Sequence, residues 1–481
     1  MPATSATVRR NAYVDSVTLL QSSAEVLSLP LVLDAALVMA TDLNRQVLAE
    51  SGLLVGEAAA AGPNDLVIAV RADNEAAAAS ALDYAERLLT SRRVESDAAT
   101  ASPPRSLRAA HRAEPEARLA VISVPGAFAA GEACQALADG LHVFLFSDNV
   151  ALEDEIDLKQ RARERGLLVM GPDCGTTILN GVGFGFANLV QRGRIGLIGA
   201  SGTGLQEVTC LLDRAGQGIS HAIGTGSRDL WARIGGVTTL QALDLLRDDP
   251  TTDTIVLLSK PSDAAVAERV LGAAGDTRKR VVACFIGADV QPTPGVELAR
   301  NLEEAARLAA GATEPSGYEL PRVRLSEDQR QVRGLFCGGT LCHEALAAMS
   351  KPDQHEFVDF GDDRYTRGRA HPMIDPSLRN RAIVEAGADP RVGVVLLDVI
   401  LGLGAHPDPA GAALPAIREA QARAAADGRE LAVLAHVVGT QRDPQNLAHQ
   451  QGMLQAAGVC LAASNHAAAV AANLLLERVA A

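Results

Sequence analysis

Between residues 193 and 214 the chain reads GRIGLIGASGTGLQEVTCLLDR, an apolar run, a turn at Ala200-Ser201-Gly202-Thr203-Gly204, and a stretch with apolar residues at helical spacing. A strand that enters a helix through so short a turn is returned along its sheet before the next strand begins, which is the rhythm of a parallel sheet. The same alternation runs through 119–124, 127–139, 142–146, 152–165 and 167–170, then through 254–258, 263–274 and 281–286. A third set opens at 333–337 with the turn Gly338-Gly339-Thr340, and closes with apolar runs at 432–437 and 459–462 and a helix over 467–478. The pattern predicts an α/β protein built of several Rossmann-like or flavodoxin-like parallel-sheet domains.

Upstream, residues 1–92 predict a separate α/β unit, with strands at 17–20 (VTLL) and 66–70 and a long Ala-rich helix from Asn74. Two stretches without sustained apolar period, 93–117 and 313–330, predict linkers. The expected domains are therefore 1–92, 118–170, 171–312 and 331–481.

Composition narrows the partners. With 44 basic and 58 acidic residues the formal charge is −14, and aromatics are 3%. Nucleic acid and anionic membrane are unsuited to that surface, and stacking platforms for bases are not expected. No run of about 18 uncharged apolar residues occurs, so a cytoplasmic protein is expected. Seven cysteines, without a CxxC pair, predict neither a disulfide framework nor a zinc site, and no metal is expected.

Several residues invite chemistry. The first amides of a helix lack intrahelical acceptors and carry partial positive charge, so Ser201, Gly202, Thr203 and Gly204 form a candidate anion cradle, unless the glycines merely permit a tight turn. Lys260 is one of four lysines and follows an apolar run, on the binding edge of a parallel sheet; it either meets an anion or is a solvated loop residue. The loop 365–376 is dense in Arg, His and Asp, and there Arg367, Arg369 and His371 are candidates to hold or protonate an anionic substrate, with an Arg369 to Asp375 structural pair as the alternative. Cys174 is reactive only if a helix start depresses its pKa. His343 and Glu344 lack the second histidine of a zinc motif and are expected to cap or cover the third sheet.

The segments Gly171-Pro172-Asp173-Cys174-Gly175-Thr176, the 200–204 turn and Ser259-Lys260-Pro261 resemble the second domain of the succinyl-CoA synthetase α subunit. Residues 120–131 (AVISVPGAFAAG) are similar to the strand-turn-helix of that subunit's first domain. FVDFG at 357–361, the helix around 381–388, the run 393–400 and the turn Leu401-Gly402-Leu403-Gly404 follow the order of the β subunit's carboxy-terminal domain. An α-like and a β-like piece in one chain, with no ATP-grasp region between, resembles the FdrA family from about residue 118 onward.

That resemblance implies two helix starts at one phosphate site, one at 201–204 and one at Gly402-Leu403-Gly404 with Ala405-His406-Pro407 as its first turn. Asp173, Cys174, Gly175 and Arg367 would line the site, and His371, Lys260 and Arg369 would act in catalysis. Where the synthetase carries a phosphorylated histidine, residues 287–295 (GADVQPTPG) contain none, so neither a phosphohistidine relay nor ATP-driven synthesis is expected. The glycine loop for coenzyme A is not recognisable, which leaves that ligand open; no cofactor is required. The implied activity is that of an oxamate carbamoyltransferase subunit in allantoin and purine breakdown, working with other subunits on phosphate and carbamoyl phosphate. An acyl-CoA synthetase or CoA-transferring subunit is the first alternative, and a non-catalytic scaffold the second.

Overall fold

The computed structural model describes every residue except 1, 13, 15, 98–103, 313–319, 367, 368 and 481. It divides into two compact units, residues 1–103 with 367–370, and residues 104–366 with 371–481.

In the first unit β1 (Ala3–Arg9), β2 (Val32–Met39) and β3 (Leu66–Ala72) form an antiparallel sheet in the order β1-β3-β2. Alternation along β3 sends Leu66, Ile68 and Val70 to one apolar cluster with Leu19, Val26 and Ala85, and Val67 and Ala69 to another with Leu48 and Leu53. The predicted strand at 17–20 lies instead inside the helix Ser16–Leu27. Four apolar residues do not distinguish the two periods, and packing against β2 and β3 decides for the helix. The Ala-rich helix runs Glu75–Asp97, past the expected boundary, and Leu107–Ala113 is a helix capped by Ser106 within the expected linker.

The second unit contains three sheets. β4 (Leu119–Ile122), β5 (His142–Leu145) and β6 (Val169–Met170) are parallel. The next sheet begins with an antiparallel hairpin of β7 (Thr176–Leu179) and β8 (Val182–Gly185), which the sequence reading missed. It continues with the parallel strands β9 (Arg192–Ala200), β10 (Ile219–Gly224), β11 (Thr254–Ser259), β12 (Arg280–Phe285) and β13 (Val296–Leu298) in the order β13-β12-β11-β9-β10-β7-β8. The third sheet is wholly parallel: β14 (Gln331–Phe336), β15 (Glu356–Asp359), β16 (Val392–Ile400), β17 (Ala432–Val438) and β18 (Cys460–Ala462), ordered β15-β14-β16-β17-β18. Every residue of β16 is buried, as expected for a central parallel strand covered on both faces.

Two features of this topology position the site. In the second sheet β9 connects to β10 on one side, and the chain then crosses to β11 on the other; in the third, β14 is flanked in the same way by β15 and β16. Such switch points open a crevice at the carboxyl ends of the strands, where ligands bind in doubly wound sheets. The two sheets also share one core, in which Leu205 and Val208 of the helix Gly202–Arg214 pack with Phe336, Leu341 of the helix Gly339–Ala347, and Leu475 of the last helix. The first sheet is pinned to the second by a buried charge cluster, Lys159 Nζ meeting Asp229 at 2.7 Å and Glu155 at 2.9 Å, while Asp229 also accepts the Thr238 and Thr239 amides. Losing Lys159 would leave the buried Asp229 carboxylate without its cation, which costs about 3–5 kcal/mol.

Candidate anion site at two abutting helix starts

Ser201 follows β9 and caps the helix Gly202–Arg214, its Oγ accepting the Gly204 amide at 3.0 Å. The same hydroxyl shares a 2.6 Å hydrogen bond with Thr340 Oγ1. Thr340 belongs to the helix Gly339–Ala347, which follows β14 through Gly338. A Cβ on Gly338 would lie 2.8 Å from both Thr203 Cγ2 and Oγ1, and one on Gly204 would lie 3.2 Å from Thr340 Cγ2. The two switch-point turns therefore dock start to start. Among the described residues the amides of Gly202, Thr203, Gly339 and Thr340 find no acceptor.

The second turn is held from behind. Asp398, in β16, accepts the amides of Cys337 at 2.8 Å and Gly338 at 2.7 Å. Arg379 NH1 donates to the Asp398 carbonyl at 2.8 Å, to its carboxylate at 3.2 Å and to Cys337 Sγ at 2.9 Å, so the buried carboxylate has a buried cation.

Lys260 extends from the end of β11 toward this junction. A Cβ on Gly339 would overlap the Asp359 carboxylate and lie 3.2 Å from Lys260 Nζ, and among the described residues that ammonium has no hydrogen-bond or ion-pair partner. Asp359, at the end of β15, accepts the Gly361 amide at 2.9 Å; burial raises its pKa despite Lys260. A Cβ on Gly361 would lie 2.8 Å from His371 Nε2. His371 Nδ1 accepts the Met373 amide at 3.2 Å, which leaves the proton of the neutral ring on Nε2. Burial lowers its pKa to about 4, with its ring 5.3 Å from that of Phe186. At neutral pH His371 is thus an uncharged donor rather than a cation.

The structure brings Ser201, Gly202, Thr203, Gly204, Lys260 and His371 together around one junction. Gly175 adjoins it, since its Cα lies 3.6 Å from where a Gly202 Cβ would be. Cys174, expected to line the site and to be reactive only if a helix start lowered its pKa, meets no such start. It is buried, its Sγ faces Thr176 O at 3.7 Å and Thr177 Oγ1 at 3.5 Å, and burial pushes the thiol up to about 12. Arg369 is exposed, forms no hydrogen bond or ion pair among the described residues, neither with Asp375 nor with the site, and groups with the first unit. Arg367 lies outside the described residues.

The second helix of the pair also differs. Gly402, Leu403 and Gly404 do not open a helix: the Gly402 amide donates to Gln445 at 3.0 Å, that of Leu403 to Ala187 O at 2.8 Å and that of His406 to Met373 O at 2.7 Å. The helix that follows begins at Pro409, and its start is closed by the Asp408 carboxylate, which accepts the Gly411 amide at 3.0 Å. Gly402 (φ 113°) and Gly404 (φ 76°) allow left-handed backbone packed on Ala187 and Phe186, behind His371. The open partner is Gly338-Gly339-Thr340, whose position directly after a predicted strand was the available signal. Glu344, on the same helix and expected to cap or cover the third sheet, instead accepts the Leu302 amide at 2.7 Å, at the start of the helix Leu302–Ala310 that follows the second sheet.

Two doubly wound sheets meeting at paired helix starts make this a mixed α/β protein of several parallel sheets. A CoA-ligase family model matches residues 335–475, and a model for the AllF heavy metal-associated domain matches residues 1–104. The chain belongs to the family of the Escherichia coli protein YahF, itself uncharacterized, with which it shares 43% identity over 498 aligned positions, 95% of this chain and 96% of that one. The subunit alpha 2 of an Archaeoglobus fulgidus ADP-forming succinate–CoA ligase is 29% identical over 151 residues, 31% of this chain and 51% of its own length. A Methanothermobacter thermautotrophicus subunit alpha is 28% identical over 182 residues, 37% of this chain and 60% of its own. The chain thus spans about half to three-fifths of these ligase subunits. A dinucleotide-forming acetyl-coenzyme A synthetase from Ca. Korarchaeum cryptofilum aligns over 75% of this chain and 83% of its own at 15% identity and a TM-score of 0.32.

These matches overturn the expected carbamoyltransferase: family model and relatives alike point to CoA ligases. The heavy metal in the N-terminal model's description does not suit the residues present, because 1–104 contain neither cysteine nor histidine and so lack thiolate and imidazole donors, with two methionines as the sole sulfur groups. No helix among the described residues is long and apolar enough to cross a membrane.

Proposed function

We propose that the chain is a subunit of an acyl-CoA ligase-type enzyme and that the junction of Ser201–Gly204 with Gly338–Thr340 binds phosphate and the phosphate end of an acyl phosphate. The observation that carries this reading is electrostatic. Each helix start is equivalent to about half a positive charge, and here two are pressed together beside the Lys260 ammonium, with the Asp359 carboxylate as a counter-charge close by. Asp359 offsets part of that positive charge, and a dianion with amides on two sides and the ammonium beside it offsets the rest. The group that leaves when an acyl phosphate is attacked is such a dianion, so the same amides stabilise charge as it develops.

Coenzyme A is in this reading the co-substrate that attacks the acyl carbon, and a partner subunit completes the enzyme. His371, neutral and carrying its proton on Nε2, donates a hydrogen bond to the acyl group. The reading is tested by thermal unfolding of the full chain with phosphate, acetyl phosphate or coenzyme A. A ligand at a hundred times its dissociation constant stabilises by about 2.7 kcal/mol. Stabilisation by phosphate and acetyl phosphate that disappears in Lys260→Ala supports it; the same stabilisation in wild type and variant counts against it.

A further inference from the structure

The anion junction consists almost entirely of donors. The amides of Gly202, Thr203, Gly339 and Thr340 have no acceptor among the described residues, and neutral His371 carries its proton on Nε2. The one hydrogen bond between Ser201 Oγ and Thr340 Oγ1 uses one hydroxyl proton and leaves the other without an acceptor among the described residues. Donors alone do not tell one tetrahedral dianion from another.

The exception is Asp359, at the carboxyl end of β15. The Gly361 amide donates to its Oδ1 at 2.9 Å, and among the described residues nothing donates to Oδ2. Oδ2 occupies the space that a Cβ on Gly339 would need, at the start of the helix Gly339–Ala347, and Lys260 Nζ lies 3.2 Å from that same point. The two charged groups nevertheless stand further apart than an ion pair allows. An oxygen entering over Gly339 therefore meets an ammonium that only donates and a carboxylate that only accepts. It satisfies both if it carries a proton of its own, accepting from Lys260 and donating to Asp359.

We propose that Asp359 is the specificity-determining residue of the junction, selecting an oxyanion that carries a proton, hydrogen phosphate, over one that carries none, sulfate. This rests on the reading of the junction as a phosphate site. A sulfate oxygen over Gly339 faces the carboxylate acceptor to acceptor, so it binds only when Asp359 is itself protonated. The same holds for the phosphate end of an acyl phosphate, to which protonated Asp359 donates. Burial raises the Asp359 pKa and the charges of Asp398 and Asp362 act in the same direction, while Lys260 and the Gly361 amide oppose them and His371 is uncharged.

Calorimetric titration of the full chain with sodium phosphate and sodium sulfate at pH 8 compares two dianions that differ in that proton. Wild type is expected to bind phosphate about 100-fold more tightly, the range for a hydrogen bond to a charged group. Asp359→Asn keeps an oxygen for the Gly361 amide and offers an NH2 group to an unprotonated oxygen, so the two affinities are expected to come within about threefold of each other, chiefly by a gain for sulfate. Independently of any variant, sulfate affinity of wild type is expected to rise as pH falls from 8 to 6, with proton uptake read from two buffers of different ionisation enthalpy. Equal phosphate and sulfate affinities in wild type at pH 8, an unchanged ratio in Asp359→Asn, or a sulfate affinity that does not rise toward pH 6 overturns the proposal and leaves the phosphate site standing. Absence of phosphate and sulfate binding by wild type at either pH overturns both.

Discussion

Gly338→Ala is the sharpest perturbation of the paired helix starts. Gly338 has φ −105° and ψ 112°, which alanine adopts freely, so only the added methyl matters. It would meet three atoms of Thr203, two at 2.8 Å and Cβ at 2.9 Å. Carbon contacts are comfortable near 3.5–4.0 Å, so the turns must separate by about 0.7–1 Å. Thr203 is 9% exposed and its branched carbon is itself in the contact, so a rotamer change does not relieve it. Overpacking of this kind costs about 1–3 kcal/mol. If about 1.4 kcal/mol of that falls on the bound state, through amides that no longer converge, phosphate affinity drops about tenfold. Urea unfolding and phosphate calorimetry on wild type, Gly338→Ala, Thr203→Ala and the double variant separate the terms. The poorer capping of alanine is common to both backgrounds and cancels, whereas the clash is expected as a coupling of about 1 kcal/mol. An unchanged urea midpoint and unchanged phosphate affinity in Gly338→Ala would refute the abutting geometry.

Replacing Lys260 with Gln should weaken phosphate binding by about 10–100-fold, the range for a hydrogen bond to a charged partner, with a shallower salt dependence; equal affinity at low and high salt in both proteins would exclude Lys260 from the site. Native Cys174 should resist iodoacetamide at pH 8, because burial holds its thiol near 12, and Cys174→Ser should keep any turnover; rapid labelling of that position, mapped by mass spectrometry, would contradict the buried placement. His371 is lowered in the folded state to about 4 from 6.5, so the unfolded chain binds the proton first and stability falls as pH drops from about 6.5 toward 4. His371→Gln should flatten that part of the stability curve, measured by urea midpoints at several pH values; an identical slope in the variant would mean that the ring is already solvated.

Much of the fold was legible in the sequence because parallel strands buried on both faces have little freedom: 254–258, 281–286 and 393–400 read as apolar runs and lie in β11, β12 and β16. The cradle at Ser201–Gly204 was legible for a local reason, since a strand, a short glycine turn and a helix are consecutive in the chain. Lys260 and His371 were found as rare polar residues at strand ends and in a charged loop. The strand at Ala3–Arg9 is polar and evenly half-buried, so it carries no alternation to read. The misplaced strand at 17–20 was too short to choose between periods.

What sequence alone determined is therefore the set of local devices, the strand–turn–helix units and their glycines, because these depend on backbone sterics over a few residues. It could not say which glycine turn faces which. Leu401–Gly404 and Gly338–Thr340 look alike as strings, yet the first has amides consumed by Gln445 and Ala187 while the second is held open by Asp398. Likewise Cys174 and Asp173 are adjacent in sequence, but one is sealed in the core and the other is exposed. Those differences arise from contacts between residues tens to hundreds of positions apart, which only the docking of one sheet against another supplies.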